Sequence, residues 1–137
     1  MSKLLKYLFG CKLNTVYKSI RDYTYKSPTL LKLYSIACSN NVYIGGILTL
    51  NFSNCVYIDT TREPTPDSLV RLAHDLSHVI TNLKGVSSEI YAYNNQGLVR
   101  QELQQAGYTV TITEPSVDEI QELYGPYYGE YKETVDA

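Results

Sequence analysis

A chain of 137 residues with 44% apolar and 19% charged side chains is long enough for one domain with a buried core and leaves little room for a second. The formal charge of −2, with no conspicuous basic stripe, argues against nucleic-acid binding through phosphate contacts as the main function. Cys11, Cys38 and Cys55 are odd in number and show no CxxC spacing, which argues against a disulfide framework and a cysteine-only zinc site and favours a reducing compartment.

Residues 3–22 place Leu, Tyr, Val and Ile among lysines at loosely helical spacing, broken near Gly10. Leu8-Phe9-Gly10-Cys11 has a faint likeness to a lipoprotein cleavage box, but Lys6 interrupts the apolar stretch before it, and residues 3–9 read as a helix start. No apolar run reaches membrane-spanning length, so the expectation is a cytoplasmic protein, or a delivered effector, with no membrane partner. Ser27-Pro28 is a cap followed by proline at the first helical position, which predicts a helix to about Cys38. Ser39-Asn40-Asn41 is a turn signal. Val42–Phe52, divided by Gly45-Gly46, and Cys55–Asp59 read as a small antiparallel meander with the glycine pair at a hairpin turn. Thr65-Pro66-Asp67 opens a strong helix that runs to about Leu83 and ends at Lys84-Gly85. Residues 89–93 fit either a strand or the first turns of a helix. A helix is predicted over 97–106, a strand over Tyr108–Thr113 because of its strict alternation, and a short helix over 116–124. Fourteen tyrosines and no tryptophan suit half-buried strands or an adhesive surface equally well. The fold class that results is α+β: one domain over 1–137, with helices in 1–38, a core in 42–113 holding a small antiparallel or mixed sheet, and a tail over 125–137.

On a helical wheel for 67–83, Leu69, Leu72, Ala73, Leu76, Ile80 and Leu83 form one apolar stripe. Asp67, Arg71, His74 and His78 fall together on the opposite face, with Asp67 and Arg71 at ion-pair spacing. The only two histidines therefore point outward or into a cleft. At i and i+4 their ring nitrogens converge from adjacent turns and can hold one metal ion. Asp75 follows the first histidine, at the position where the glutamate of an HExxH sequence acts as general base on the attacking water.

Leu72-Ala73-His74-Asp75-Leu76-Ser77-His78-Val79 resembles the active-site helix of zincin metallopeptidases. The order of a strand (Val56-Tyr57-Ile58-Asp59), a proline-containing loop, the helix, Gly85 and a downstream acid is similar to that of bacterial effector-type zincins, over residues 42–108. The resemblance implies one zinc ion on His74 and His78 with a third ligand further on, Glu89 first and Glu102 in reserve, and a peptide or protein substrate. Asp75 stands where the family has glutamate. Its shorter side chain implies a compromised base and hydrolysis that is weak or absent.

Residues 42–113 also resemble the acyl-CoA-dependent N-acetyltransferase fold, with 89–93 as a sheet strand and Asn95, the 97–106 helix and Gly107-Tyr108 as its closing segment. Against that stands the turn at 60–66, which has two prolines and no glycine to present N–H groups to a pyrophosphate. A third reading is a non-enzymatic interaction module. The conformation of 89–93 separates the first two.

Overall fold

The computed structural model describes residues 2–48, 54–82 and 85–125. In chain order the elements are α1 (Lys3–Phe9), β1 (Cys11–Lys12), a 3-10 turn (Leu13–Val16), α2 (Tyr17–Lys26), α3 (Pro28–Ser39), β2 (Tyr43–Ile44), β3 (Cys55–Val56), α4 (Pro66–Thr81), α5 (Val86–Gln105) and α6 (Val117–Tyr124). The fold is α+β, with helices dominant and a three-stranded sheet in the order β1-β2-β3.

The sheet is mixed. β1 pairs antiparallel with β2, Cys11 opposite Ile44, whereas β2 pairs parallel with β3, Tyr43 opposite Cys55 and Ile44 opposite Val56. This corrects the meander expected over 42–59: the antiparallel partner of β2 comes from the N-terminal segment. Residues 49–52 of the expected strand and 126–137 of the expected tail lie outside the described residues. The glycine pair serves close approach instead of a hairpin. A Cβ on Gly46 would meet the Gly10 nitrogen at 2.4 Å and the Leu8 carbonyl oxygen at 2.5 Å, and one on Gly45 would meet the Tyr57 ring at 2.4 Å. Only glycine lets these two stretches of backbone cross.

α3 starts as the Ser27-Pro28 signal predicts: Ser27 Oγ accepts from the Leu30 N–H and Pro28 is the first helical residue. A second cap comes from far along the chain. Glu102, on α5, accepts from Ser27 Oγ at 2.7 Å, from Thr29 N at 3.0 Å and from Thr29 Oγ1 at 2.8 Å. The reserve metal ligand is thus committed to the N-terminus of α3, where a carboxylate also complements the helix dipole. Glu102→Ala leaves the buried Ser27 hydroxyl without its acceptor and is expected to cost about 2–3 kcal/mol in urea unfolding while leaving metal stoichiometry unchanged.

α4 begins at a reciprocal capping box between Thr65 and Ser68. Its Leu69, Leu72, Ala73 and Leu76 are buried in the main core with Leu30, Leu33 and Ala37 of α3. The helix stops at Thr81, earlier than Lys84-Gly85 suggests, because Asn82 adopts the left-handed conformation (φ 54°) and returns its N–H to the His78 carbonyl. Gly85, at φ 80°, precedes α5 instead of capping α4.

α5 is a single helix of 20 residues, about 30 Å long at 1.5 Å per residue. It absorbs both the ambiguous 89–93 segment and the helix expected at 97–106. The strand that the acyltransferase resemblance places at 89–93 is therefore helix. Its amphipathic period is weak because the helix is central: Ile90, Tyr91, Ala92, Val99 and Leu103 are buried, and so are Ser87, Ser88, Asn95 and Gln96. Segment 108–113 forms no strand. Its alternation is real, with Tyr108, Val110 and Ile112 packed against the core and the threonines between them exposed, but it reports extended backbone with one buried face, not ladder pairing. Asp67 secures it, accepting from the Thr111 N–H at 2.8 Å and from the Thr111 hydroxyl. The expected Asp67–Arg71 ion pair is not formed among the described residues. Asp67's carboxyl lies below its ordinary pKa chiefly through the two Thr111 hydrogen bonds, and Arg71 contributes least.

Candidate metal centre

A short link between α4 and α5, turned at Asn82 and Gly85, folds the two helices back against each other. The reversal brings the first turn of α5 over the last two turns of α4. At the centre of the interface the buried Asn95 Nδ2 donates to Ser77 Oγ at 3.1 Å, and Ser77 donates to the Ala73 carbonyl at 2.8 Å. Asn95, assigned to the closing segment by the acyltransferase resemblance, is therefore a clamp between the helices. The same interface turns His74 and His78 toward Glu89.

The three side chains meet. His74 Nε2 and His78 Nε2 are 3.1 Å apart. Glu89 Oε1 lies 2.9 Å from His78 Nε2, and Glu89 Oε2 lies 3.3 Å from His74 Nε2. One ligand atom from each residue falls within 4.8 Å of the others, a group that can hold a metal ion. Donor atoms around a tetrahedral zinc, each at about 2.0–2.1 Å, stand roughly 3.3 Å apart. The two imidazole nitrogens stand close to that spacing, and each has a Glu89 oxygen at a similar distance.

A second observation tests the fit. Glu89 Oε2 is buried and accepts no hydrogen bond among the described residues, although His74 Nε2 faces it at 3.3 Å. An orphaned, buried carboxylate oxygen aimed at two imidazoles is costly unless a cation or proton satisfies it. Burial alone would raise the Glu89 pKa. The His74 and His78 side chains facing it outweigh burial and hold it at about 2. Because the folded value is depressed from 4.5, the carboxylate favours the folded state above that pH and loses its contribution as pH falls toward 2. In metal-free protein the stability gap between wild type and Glu89→Gln is accordingly expected to be full above pH 4.5 and to shrink steadily below it, read from urea midpoints across pH.

Asp75 adjoins the cluster. Burial pushes its carboxyl upward, the two imidazoles pull it down, and the Glu89 charge pushes it up again; the net shift is upward. It makes no hydrogen bond among the described residues, so its oxygens are not tied elsewhere.

Tyr93, which the sequence does not single out, is the residue that completes the wall. Its ring stands edge-on to the His74 ring with centroids 4.4 Å apart, and the two imidazoles meet edge-on at 4.8 Å. Tyr93 lies one helical turn past Glu89 and rests on a small cluster of Val86, Ile90 and Ile120. Burial, then the charges of Glu89 and Tyr124, raise its hydroxyl pKa and keep it a donor. His74 Nδ1 is buried without a partner among the described residues, so ring packing, not an outer hydrogen bond of the usual kind, orients that imidazole. The signal for Tyr93 was its i+4 spacing from Glu89, useful only once 86–105 is known to be one helix.

No protein-family model matches the chain, and no curated protein or solved structure is significantly similar to it. No helix among the described residues is long and apolar enough to cross a membrane.

Proposed function

We propose that the protein is a zinc-dependent peptidase-type hydrolase, slowed by its aspartate base, in which His74, His78 and Glu89 hold the metal. The observation that carries this reading is the convergence of two histidines one helical turn apart on α4 with a buried carboxylate from α5, one of whose oxygens accepts no hydrogen bond. Two imidazoles and one carboxylate suit zinc among the common divalent ions, and three protein ligands are the catalytic pattern, which keeps a fourth position open. Zinc held by these three residues would supply Lewis acidity toward water and the scissile carbonyl. Asp75, beside His74 and with no hydrogen bond among the described residues, would accept the proton of the attacking water and return it to the leaving amine. Tyr93 holds the His74 ring and excludes water from its flank.

The test uses the full-length protein loaded with zinc and a library of unstructured peptides, with new N-termini read by mass spectrometry. Cleavage is expected that stops with a chelator, returns with zinc, and is missing in His78→Ala. Zinc-loaded protein that cuts no peptide at any enzyme ratio would reduce the assignment to a metal-binding domain.

A further inference from the structure

The N-terminal helix presents its apolar side outward. On the wheel of α1, Leu4, Leu5, Leu8 and Phe9 share one arc, and Lys6 and Tyr7 occupy the other. A helix on the surface of a soluble domain normally turns such an arc to the core. Here most of the arc stays open: Leu8 is half-buried, Lys6 lines a hollow with Asp59 and Glu63, and Tyr7, itself exposed, borders another with Gly45, Gly46 and Tyr57. Leu4 is 64% exposed, Leu5 45% and Phe9 61%. Ile47 and Leu48, 60% and 54% exposed, extend the patch. They are held alongside α1 by hydrogen bonds from the Ile47 N–H to the Tyr7 carbonyl at 3.0 Å and from the Leu48 N–H to the Leu8 carbonyl at 2.8 Å. None of these five side chains joins either hydrophobic cluster of the domain. Contiguous exposed apolar surface of this kind marks a contact with something else.

The distribution of charge selects the partner. Lys3, Lys6, Lys12, Lys18 and Arg21 fall within the first 21 residues, where there is no acid; the remaining seven cations stand against all fourteen acids. A net charge of −2 conceals this polarity. A second copy docked across a two-fold axis would bring two like-charged N-terminal regions together. An anionic lipid surface would complement them, and aliphatic and aromatic side chains flanked by lysines are what an interfacial helix inserts at the headgroup boundary. We propose that α1 and residues 47–48 form a docking surface for an anionic bilayer, holding the domain at a membrane face without spanning it. This proposal is independent of the metal centre.

The test is flotation of the full-length chain with vesicles of phosphatidylcholine, with and without phosphatidylglycerol. Binding is expected only to the anionic vesicles, weakened by high salt. In a Leu5→Ser, Phe9→Ser double variant it is expected to fall by about tenfold or more. Both positions are exposed, so the variant keeps its fold, checked by circular dichroism and by zinc stoichiometry matching wild type. Three results would overturn the proposal: no vesicle binding, equal binding to neutral and anionic vesicles, or binding indifferent to the double variant. Concentration-dependent dimerisation abolished by the same substitutions would assign the patch to a second copy instead.

Discussion

Replacing His74 or His78 by alanine, or Glu89 by glutamine, is expected to weaken zinc binding more than about 100-fold, beyond the 10- to 100-fold typical of losing an outer partner of a ligand. The reason is geometric. The imidazole nitrogens lie 3.1 Å apart, each faces one Glu89 oxygen at 2.9 or 3.3 Å, and His74 and His78 are the only histidines in the chain, so no neighbouring imidazole can substitute. The fold should survive, because the half-buried histidines stand apart from the apolar core of α4, which rests on Leu69, Leu72, Ala73 and Leu76. Zinc that binds only the folded state stabilises it by about 2.7 kcal/mol at one hundred times its dissociation constant. Wild type should therefore show a melting temperature that rises with zinc, and the three variants should not. Calorimetric titration of each variant checks the affinity directly. Unaltered zinc affinity in all three would remove the centre from these residues.

The second large effect concerns the base. Asp75→Glu is expected to raise peptide hydrolysis by at least tenfold, and Asp75→Asn to abolish it, with zinc stoichiometry unchanged in both. The added methylene extends the carboxylate by about 1.5 Å, and a misplacement of roughly 1 Å in a catalytic group can cost about 100-fold. General-base catalysis is itself worth about 10² to 10⁴ in rate, so the gain has room to appear. Asp75 is partly buried, and no hydrogen bond among the described residues ties its side chain, so the longer residue has no native hydrogen bond to break. The split between rate constant and KM is the diagnostic readout: a positioning effect on the base moves the first and leaves the second. If Asp75→Glu and wild type cut at the same rate, Asp75 is not the base.

Neither effect reaches the long-range structure of the domain, and there the Glu102 contacts are instructive. By spacing alone Glu89 and Glu102 were both available as a third ligand, since both lie downstream of the histidine helix. What separates them is which face of α5 each occupies and what that face meets. Residue 89 is one turn from the reversal at Asn82 and Gly85, opposite His78, whereas residue 102 is far enough along the helix to reach the N-terminus of α3. A similar limit applies to 108–113, whose alternation shows that one face is buried but not what covers it, and to Gly45-Gly46, where the need for glycine arises from Gly10, Leu8 and Tyr57.

Local chemistry was legible in the residues themselves. Ser27-Pro28, Thr65-Pro66 and Ser116 start helices where capping hydroxyls satisfy free N–H groups, and the period of α4 set its apolar stripe apart from its histidines. Those features depend on contacts within one or two turns, so the chain encodes them in order. The sheet order, the parallel pairing of β2 with β3, the choice of Glu89, and the roles of Tyr93, Asn95 and Glu102 depend on partners 11 to 75 residues apart. Tertiary packing decided those, because a buried polar atom must find its partner wherever the core allows one, and sequence spacing carries no record of which helix face another element covers.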